Sequence, residues 1–260
     1  MVPFSPMTSL PRILSSLVLA ASLSLAHAQQ PATGAKGPKP DASAPIEKTD
    51  PSGRFRQMHE SFLARANSGP IGVLFLGDSI TAGWTKAPEI WKTHYEKYQA
   101  ANFGIGGDQT QHVIWRIENG ELEGINPKVV VLMLGTNNTG THTASEIAAA
   151  DKKIVQLIRT KLPKAKVLVL AIFPRGPRAD KSGKVTDDGV TRMAIINAAN
   201  AELAKLDDGK NVRFLNINAK FLDANGKIPD SIMPDQLHPN TAGYKIWAEA
   251  MQPTLDAMMK

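Results

Sequence analysis

Ile71-Gly72-Val73-Leu74-Phe75-Leu76-Gly77-Asp78-Ser79-Ile80-Thr81 is the stretch whose reading decides the fold. From Ile71 to Leu76 the residues are apolar without alternation, the pattern of a strand covered on both faces in a parallel sheet. Gly77 and Asp78 then break the run, and Ser79 is delivered to the sheet edge. Taken alone, Gly-Asp-Ser is a common helix N-cap. A serine at that place is also where a nucleophile can sit, provided a base lies nearby.

Working outward, three more continuous apolar runs read as buried strands: Val129–Leu134, Lys166–Ile172 and Val212–Leu215, with a short fifth at Ala101–Phe103. Helical stretches separate them: Glu89–Tyr98, Thr110–Glu118, Thr143–Leu162, Asp188–Leu206 and Thr241–Met259. In Thr143–Leu162 the apolar positions 147, 148, 154, 155, 157, 158 and 162 share one face, and Pro163 ends the helix. Strand and helix alternate throughout, which predicts a doubly wound α/β sandwich with a mostly parallel sheet and helices on both faces. Sites in such folds form beyond the carboxyl ends of the strands. Ser79, Gly107 and Asn137 each lie a few residues past a predicted strand end, so one rim would collect all three.

The chain has 260 residues, and its first segment reads as an address rather than as fold. Arg12, the apolar small-residue run Ile13–Ala26 and the small-x-small site Ala26-His27-Ala28 read as a secretory signal peptide over 1–28. The run is shorter than the roughly 20 residues that span a bilayer, so no stable membrane insertion is expected. Residues 29–53, rich in Pro, Ala, Gly, Lys and Ser, read as a disordered linker. Residues 54–260 remain as one domain. The expected location is secreted or periplasmic. With no cysteine there can be neither disulfide nor lipid-modified cysteine. The net charge of +6 is mild and its lysines are scattered, which gives no footprint for nucleic acid.

The other chemistry-bearing stretch is Asp235-Gln236-Leu237-His238-Pro239. An aspartate three residues before a histidine, at the entry to the last helix, can hold the imidazole in the tautomer a general base needs. The plain alternative is a solvated turn. Two loops could supply oxyanion donors: Asn102-Phe103-Gly104-Ile105-Gly106-Gly107-Asp108 and Gly135-Thr136-Asn137-Asn138. Glycine lets backbone approach a reacting carbonyl, and an amide side chain donates without titrating. A dinucleotide loop is excluded, because Gln109 stands where the third glycine belongs. The Gly-x-Ser-x-Gly elbow is absent as well, with Thr81 in place of its second glycine. The polar segment Arg175–Val190 reads as a mobile loop near the site, placed to meet sugar hydroxyls.

These segments, in this order, resemble the SGNH (GDSL-type) hydrolases over roughly residues 70–250. Asn102–Asp108, His112–Arg116, Glu118–Glu123, Gly135–Asn138 and Pro174–Gly176 are most similar to the platelet-activating factor acetylhydrolase catalytic-subunit branch. The resemblance implies a flavodoxin-like three-layer α/β/α sandwich with a five-stranded parallel sheet. It implies Ser79 as nucleophile, His238 as base, Asp235 as its partner, and Gly107 and Asn137 as oxyanion donors, with no metal and no cofactor. It also suggests a homodimer. Ile80 and Leu237 match positions that wall the acyl pocket in that branch, so a short acyl group is expected; ordinary core packing is the plain alternative. The function implied is hydrolysis of acetyl or other short acyl esters. Export favours a carbohydrate as the alcohol half. A phospholipid substrate and a non-catalytic glycan-binding module on the same fold are the rival readings.

Overall fold

The computed structural model describes residues 1–3, 39–180 and 182–260. In chain order, the elements are α1 (Arg54–Ala66), β1 (Val73–Gly77), α2 (Ser79–Ala82), α3 (Pro88–Tyr95), β2 (Ala101–Gly104), α4 (Thr110–Arg116), β3 (Val129–Met133), α5 (Ala144–Lys161), β4 (Lys166–Leu170), β5 (Arg178–Ala179), β6 (Val185–Asp187), α6 (Val190–Leu203), β7 (Val212–Leu215) and α7 (Thr241–Met259).

Five strands pair in parallel in the order β2-β1-β3-β4-β7. Leu74 pairs with Ala101 on one side and with Val130 on the other, so β1 is interior to the sheet. The chain leaves β1 toward β2, then crosses back to β3 on the opposite side. This reversal is a topological switch point, and a crevice opens beyond the strand ends there. The fold is the three-layer α/β/α sandwich that the alternation of runs predicts.

Two apolar clusters fill the layers, and the period-2 geometry of a strand sorts residues between them. Leu74, Leu76, Val130, Leu132, Val167 and Val169 pack with Phe55 and Phe62 of α1, Val113 and Ile114 of α4, Ile147 and Ile154 of α5, and Ile196 of α6. Val73, Phe75, Val129, Val131, Leu168 and Leu170 face the other way, onto Tyr95 of α3 and Tyr244, Trp247 and Met251 of α7. That second layer is aromatic: Trp84 lies 4.7 Å from Tyr244 and 5.0 Å from Trp247, ring centre to centre.

Two glycines let α2 sit directly on the sheet. A Cβ at Gly104 would run into the backbone of Thr81 and Ala82, and one at Gly77 would meet Thr81 and the Met133 carbonyl. The Asn102 side chain closes this seam. It donates to Thr81 O at 2.8 Å and accepts from Gly104 N at 2.9 Å.

Three features depart from the sequence reading. Residues 39–53 belong to the same compact unit as the rest of Lys39–Lys260 and form an ordered strap. Ile46 N donates to Gln111 O at 3.2 Å, Thr110 Oγ1 donates to Ala42 O at 2.8 Å, and Lys39 Nζ pairs with Glu146 at 2.6 Å. Its hold is polar, so no apolar period announces it. The rest of the expected linker, 29–38, and nearly all of the expected signal peptide lie outside the described residues.

Helix α1 is the second departure. Phe55, His59, Phe62 and Ala66 are its buried face, at helical spacing. The third is the segment 175–190, which carries the antiparallel hairpin β5–β6, with Arg178 opposite Asp187. Among the described residues, no helix is long and apolar enough to cross a membrane.

Candidate active site

Ser79 is the first residue of α2, one step past β1 and its capping residue. Asp78 is that cap: its Oδ1 accepts from Ile80 N at 2.9 Å. Cap and candidate nucleophile are therefore adjacent residues: Asp78 caps the helix, and half-buried Ser79 follows it. Ser79 Oγ lies 2.9 Å from His238 Nε2.

The loop before α7 brings the imidazole there. Gln236 takes a left-handed conformation, φ 59°, which folds Asp235 back on His238. Asp235 Oδ1 accepts from Leu237 N at 3.2 Å and from His238 N at 2.7 Å. Its other oxygen meets His238 Nδ1 at 2.7 Å. With Nδ1–H donated to a carboxylate, Nε2 presents a lone pair to the Ser79 hydroxyl. Partial loss of solvent would raise Asp235, but the His238 backbone N–H, the ring and Arg178 together hold it below the ordinary carboxylate range. Arg178 Nη2 donates to Asp235 Oδ2 at 3.2 Å, so the hairpin β5–β6 touches this chain of bonds.

The glycine loop after β2 lies beside Ser79. A Cβ built on Gly106 would sit 4.0 Å from Ser79 Cβ. Gly107 has φ +75°, which a residue with a side chain rarely adopts. Among the described residues its N–H donates to no protein acceptor. Asn137 sits in the turn after β3. Its Nδ2 donates to Asp108 O at 2.8 Å and lies 3.4 Å from Asp78 Oδ2. Asn138 points away and fixes the start of α4, accepting from Thr110 N at 3.0 Å and donating to Gln111 Oε1 at 3.1 Å.

Beneath this rim lie buried charges. Asp78 is pushed up to about 7 by burial and by Asp108, against the Ile80 N–H. Burial pushes Asp108 up to about 6, with Arg116 and Lys48 pulling the other way. Arg116 Nε stands 3.0 Å from Asp108 Oδ2, and its Nη1 pairs with Glu121 at 2.6 Å. Among the described residues, no group of three or more His, Asp or Glu side chains is placed to hold a metal ion.

The structure thus gathers Ser79, His238, Asp235, Asn137 and the Gly107 loop at one rim. Ile80 and Leu237 do not join them on the surface. Ile80 is 0% exposed and Leu237 3%, both packed in the aromatic layer. Without accessible surface they offer no wall to an acyl group, and the plain reading as core residues describes them. Arg178 and Lys48 are site neighbours that sequence reasoning did not identify. Arg178 lies in the polar segment expected near the site, whereas nothing local to Lys48 marks it.

Residues 75–246 match the pattern of the GDSL-like lipase/acylhydrolase family. The chain is 38% identical over 204 residues to platelet-activating factor acetylhydrolase IB subunit alpha1 of Bos taurus, covering 77% of this chain and 82% of that protein. It is 38% identical over 209 residues to subunit alpha2 of Rattus norvegicus, covering 79% and 83%. Among solved structures, a GDSL-like lipase from Bacteroides thetaiotaomicron superposes with a TM-score of 0.60 at 19% identity, covering 76% of this chain and 97% of that one. A carbohydrate acetylesterase family member from Sinorhizobium meliloti gives 0.57 at 16%, covering 72% and 98%. At those identities the two structures speak for the fold.

Proposed function

We propose that this chain, which belongs to the GDSL-like lipase/acylhydrolase family, is a serine esterase that removes acetyl or other short acyl groups. The observation that carries the reading is the unbroken relay from Ser79 Oγ through His238 to Asp235, at 2.9 and 2.7 Å. Ser79 Oγ attacks the ester carbonyl as His238 Nε2 takes its proton. The negative oxygen of the tetrahedral intermediate is received by the Gly107 and Ser79 N–H groups and by Asn137, whose second amide hydrogen faces only a 3.4 Å contact. The protonated imidazole then returns its proton to the leaving alcohol. Water, activated by the same base, attacks the acyl-serine and frees the acid.

The acetyl preference draws on the relatives, which are named as acetylhydrolases. For the alcohol half we propose a carbohydrate, in keeping with the export expected from residues 1–28. A second reading, an acetylated phospholipid, is favoured by those same relatives.

The test is hydrolysis of p-nitrophenyl acetate and octanoate by the purified protein. Wild type should prefer acetate. Ser79→Ala should lower kcat by at least ~10³, with an unchanged circular dichroism spectrum. Turnover by Ser79→Ala near the wild-type rate removes the serine from the mechanism. Equal or faster cleavage of octanoate removes the short-acyl preference. Acetylated xylan, acetylated sugars and a short-chain acetylated phospholipid, assayed side by side, decide the alcohol.

A further inference from the structure

We propose that Lys48 is a positioning residue for the oxyanion site: its ammonium pins the Gly106–Gly107 peptide so that the Gly107 N–H is held toward the reacting carbonyl on Ser79. The proposal rests on the esterase reading above.

Gly106 O and Gly107 N belong to one planar group, and the described residues contain no cis bond. In a trans peptide the C=O and N–H point in opposite directions. Fixing one end therefore aims the other. Lys48 Nζ donates to Gly106 O, and it stands 3.5 Å from Asp108 Oδ1 on the next residue but one. It also lies 3.0 Å from where a Cβ on Gly107 would be, so the ammonium covers the loop directly. The Gly107 N–H has no protein acceptor among the described residues, which leaves it free for a substrate oxygen.

A clamp is needed there for a physical reason. Both residues of this peptide are glycine and both are exposed. No Cβ opposes rotation of a plane between two glycines, so it flips at little cost. A charged donor makes a bond roughly twice as strong as a neutral one. By polarising the carbonyl it also makes the N–H of the same unit a better donor. The neighbouring His112 supplies no second cation: burial, then Lys48 and Arg116, push its imidazole down to about 4.

Lys48 reaches the loop because the strap is ordered. Thr110 Oγ1 holds Ala42 O at 2.8 Å, His142 Nε2 holds Pro40 O at 2.8 Å, and Lys153 Nζ holds Ser43 O at 2.9 Å. A segment that reads as linker is, on this account, part of the site.

The experiment is steady-state hydrolysis of p-nitrophenyl acetate by wild type, Lys48→Met and Lys48→Arg, with Tm and the rate of labelling by a serine-directed fluorophosphonate. Losing an oxyanion donor outright costs ~10²–10³ in rate, so a donor left to wander should cost about 10- to 100-fold in kcat. KM should stay within about twofold, because the donor acts on the transition state rather than on bound ester. Tm should hardly move, labelling should slow with kcat, and Lys48→Arg should recover most of the rate. Wild-type kcat in Lys48→Met overturns the proposal. So does a loss of kcat that tracks a loss of Tm and is not recovered by Lys48→Arg. Should Lys48→Met fail to fold, Lys48→Gln is judged by the same outcomes. If wild type itself is not labelled and matches Ser79→Ala, the esterase reading fails and this one with it. If Ser79→Ala is dead while Lys48→Met turns over normally, the role of Lys48 alone is lost.

Discussion

A carboxylate placed next to a histidine does different work from one placed in a core, and this chain holds both. Asp235 is exposed, and four groups donate to it: two backbone N–H groups, the imidazole and Arg178. Asp151, on α5, is 2% exposed, and its Oδ1 finds no partner among the described residues. Burial, then Asp78, hold Asp151 well above the ordinary carboxylate range. The sign of its effect follows from linkage. The unfolded carboxyl ionises near pH 4 while the folded one keeps its proton, so wild type loses stability as pH rises from about 4. Asp151→Asn does not titrate. Its Tm should exceed that of wild type by an amount that widens from pH 5 to pH 8, about 2–4 °C for each kcal/mol relieved in a chain of this size. Calorimetry at the two pH values checks it; a gap that is constant or narrows with pH contradicts the assignment. The Asp-x-x-His pair was visible in the sequence as a spacing. What spacing could not show is that Gln236 would accept φ 59° and turn a plain loop into a relay.

Secondary structure was legible wherever one physical demand acted alone. Continuous apolar runs became strands because both faces of a parallel sheet are covered, and β3, β4 and β7 begin where the runs begin. Helix α7 spans Thr241–Met259 as read, even through Pro253, whose missing N–H is offset by buried Met251, Leu255 and Met258. Helix α5 starts at a signal readable in four residues: Thr143 accepts from Glu146 N, and Glu146 accepts from Thr143 N at 2.7 Å. Glu146 also holds Lys39 of the strap, so this cap joins helix to strap. Thr143→Ala should cost about 1 kcal/mol of stability, read by urea denaturation, and an unchanged unfolding midpoint would refute the contribution. The hairpin β5–β6 and the strap were illegible for a common reason. Both are polar, and both owe their order to bonds with residues distant in sequence, such as Arg178 with Asp235 and Thr110 with Ala42.

At the scale of the whole molecule, Arg116 is the joint. Its guanidinium donates to Phe103 O on β2 at 3.1 Å and to Gly77 O on β1 at 3.4 Å, while pairing with Asp108 and Glu121. Glu121 in turn meets His59 of α1 at 3.2 Å. One buried cation therefore ties the sheet edge, the glycine loop and the first helix. Arg116→Leu would strand two buried carboxylates, and breaking such a pair from one side typically costs about 3–5 kcal/mol. Chemical denaturation should show a loss of that order; a loss under about 1 kcal/mol would mean the carboxylates are not held by this arginine.

The sequence by itself determined the alternation of strand and helix, the parallel sheet and the residue types that carry the chemistry. Each of these is written in neighbours along the chain, through period, run length and spacing. Only the tertiary structure decided that Lys48 lies over the glycine loop, that Arg178 touches Asp235, and that Ile80 and Leu237 are core rather than wall. Those outcomes depend on which surfaces meet once the sheet has closed, and contacts between residues far apart in the chain leave no periodic trace in it.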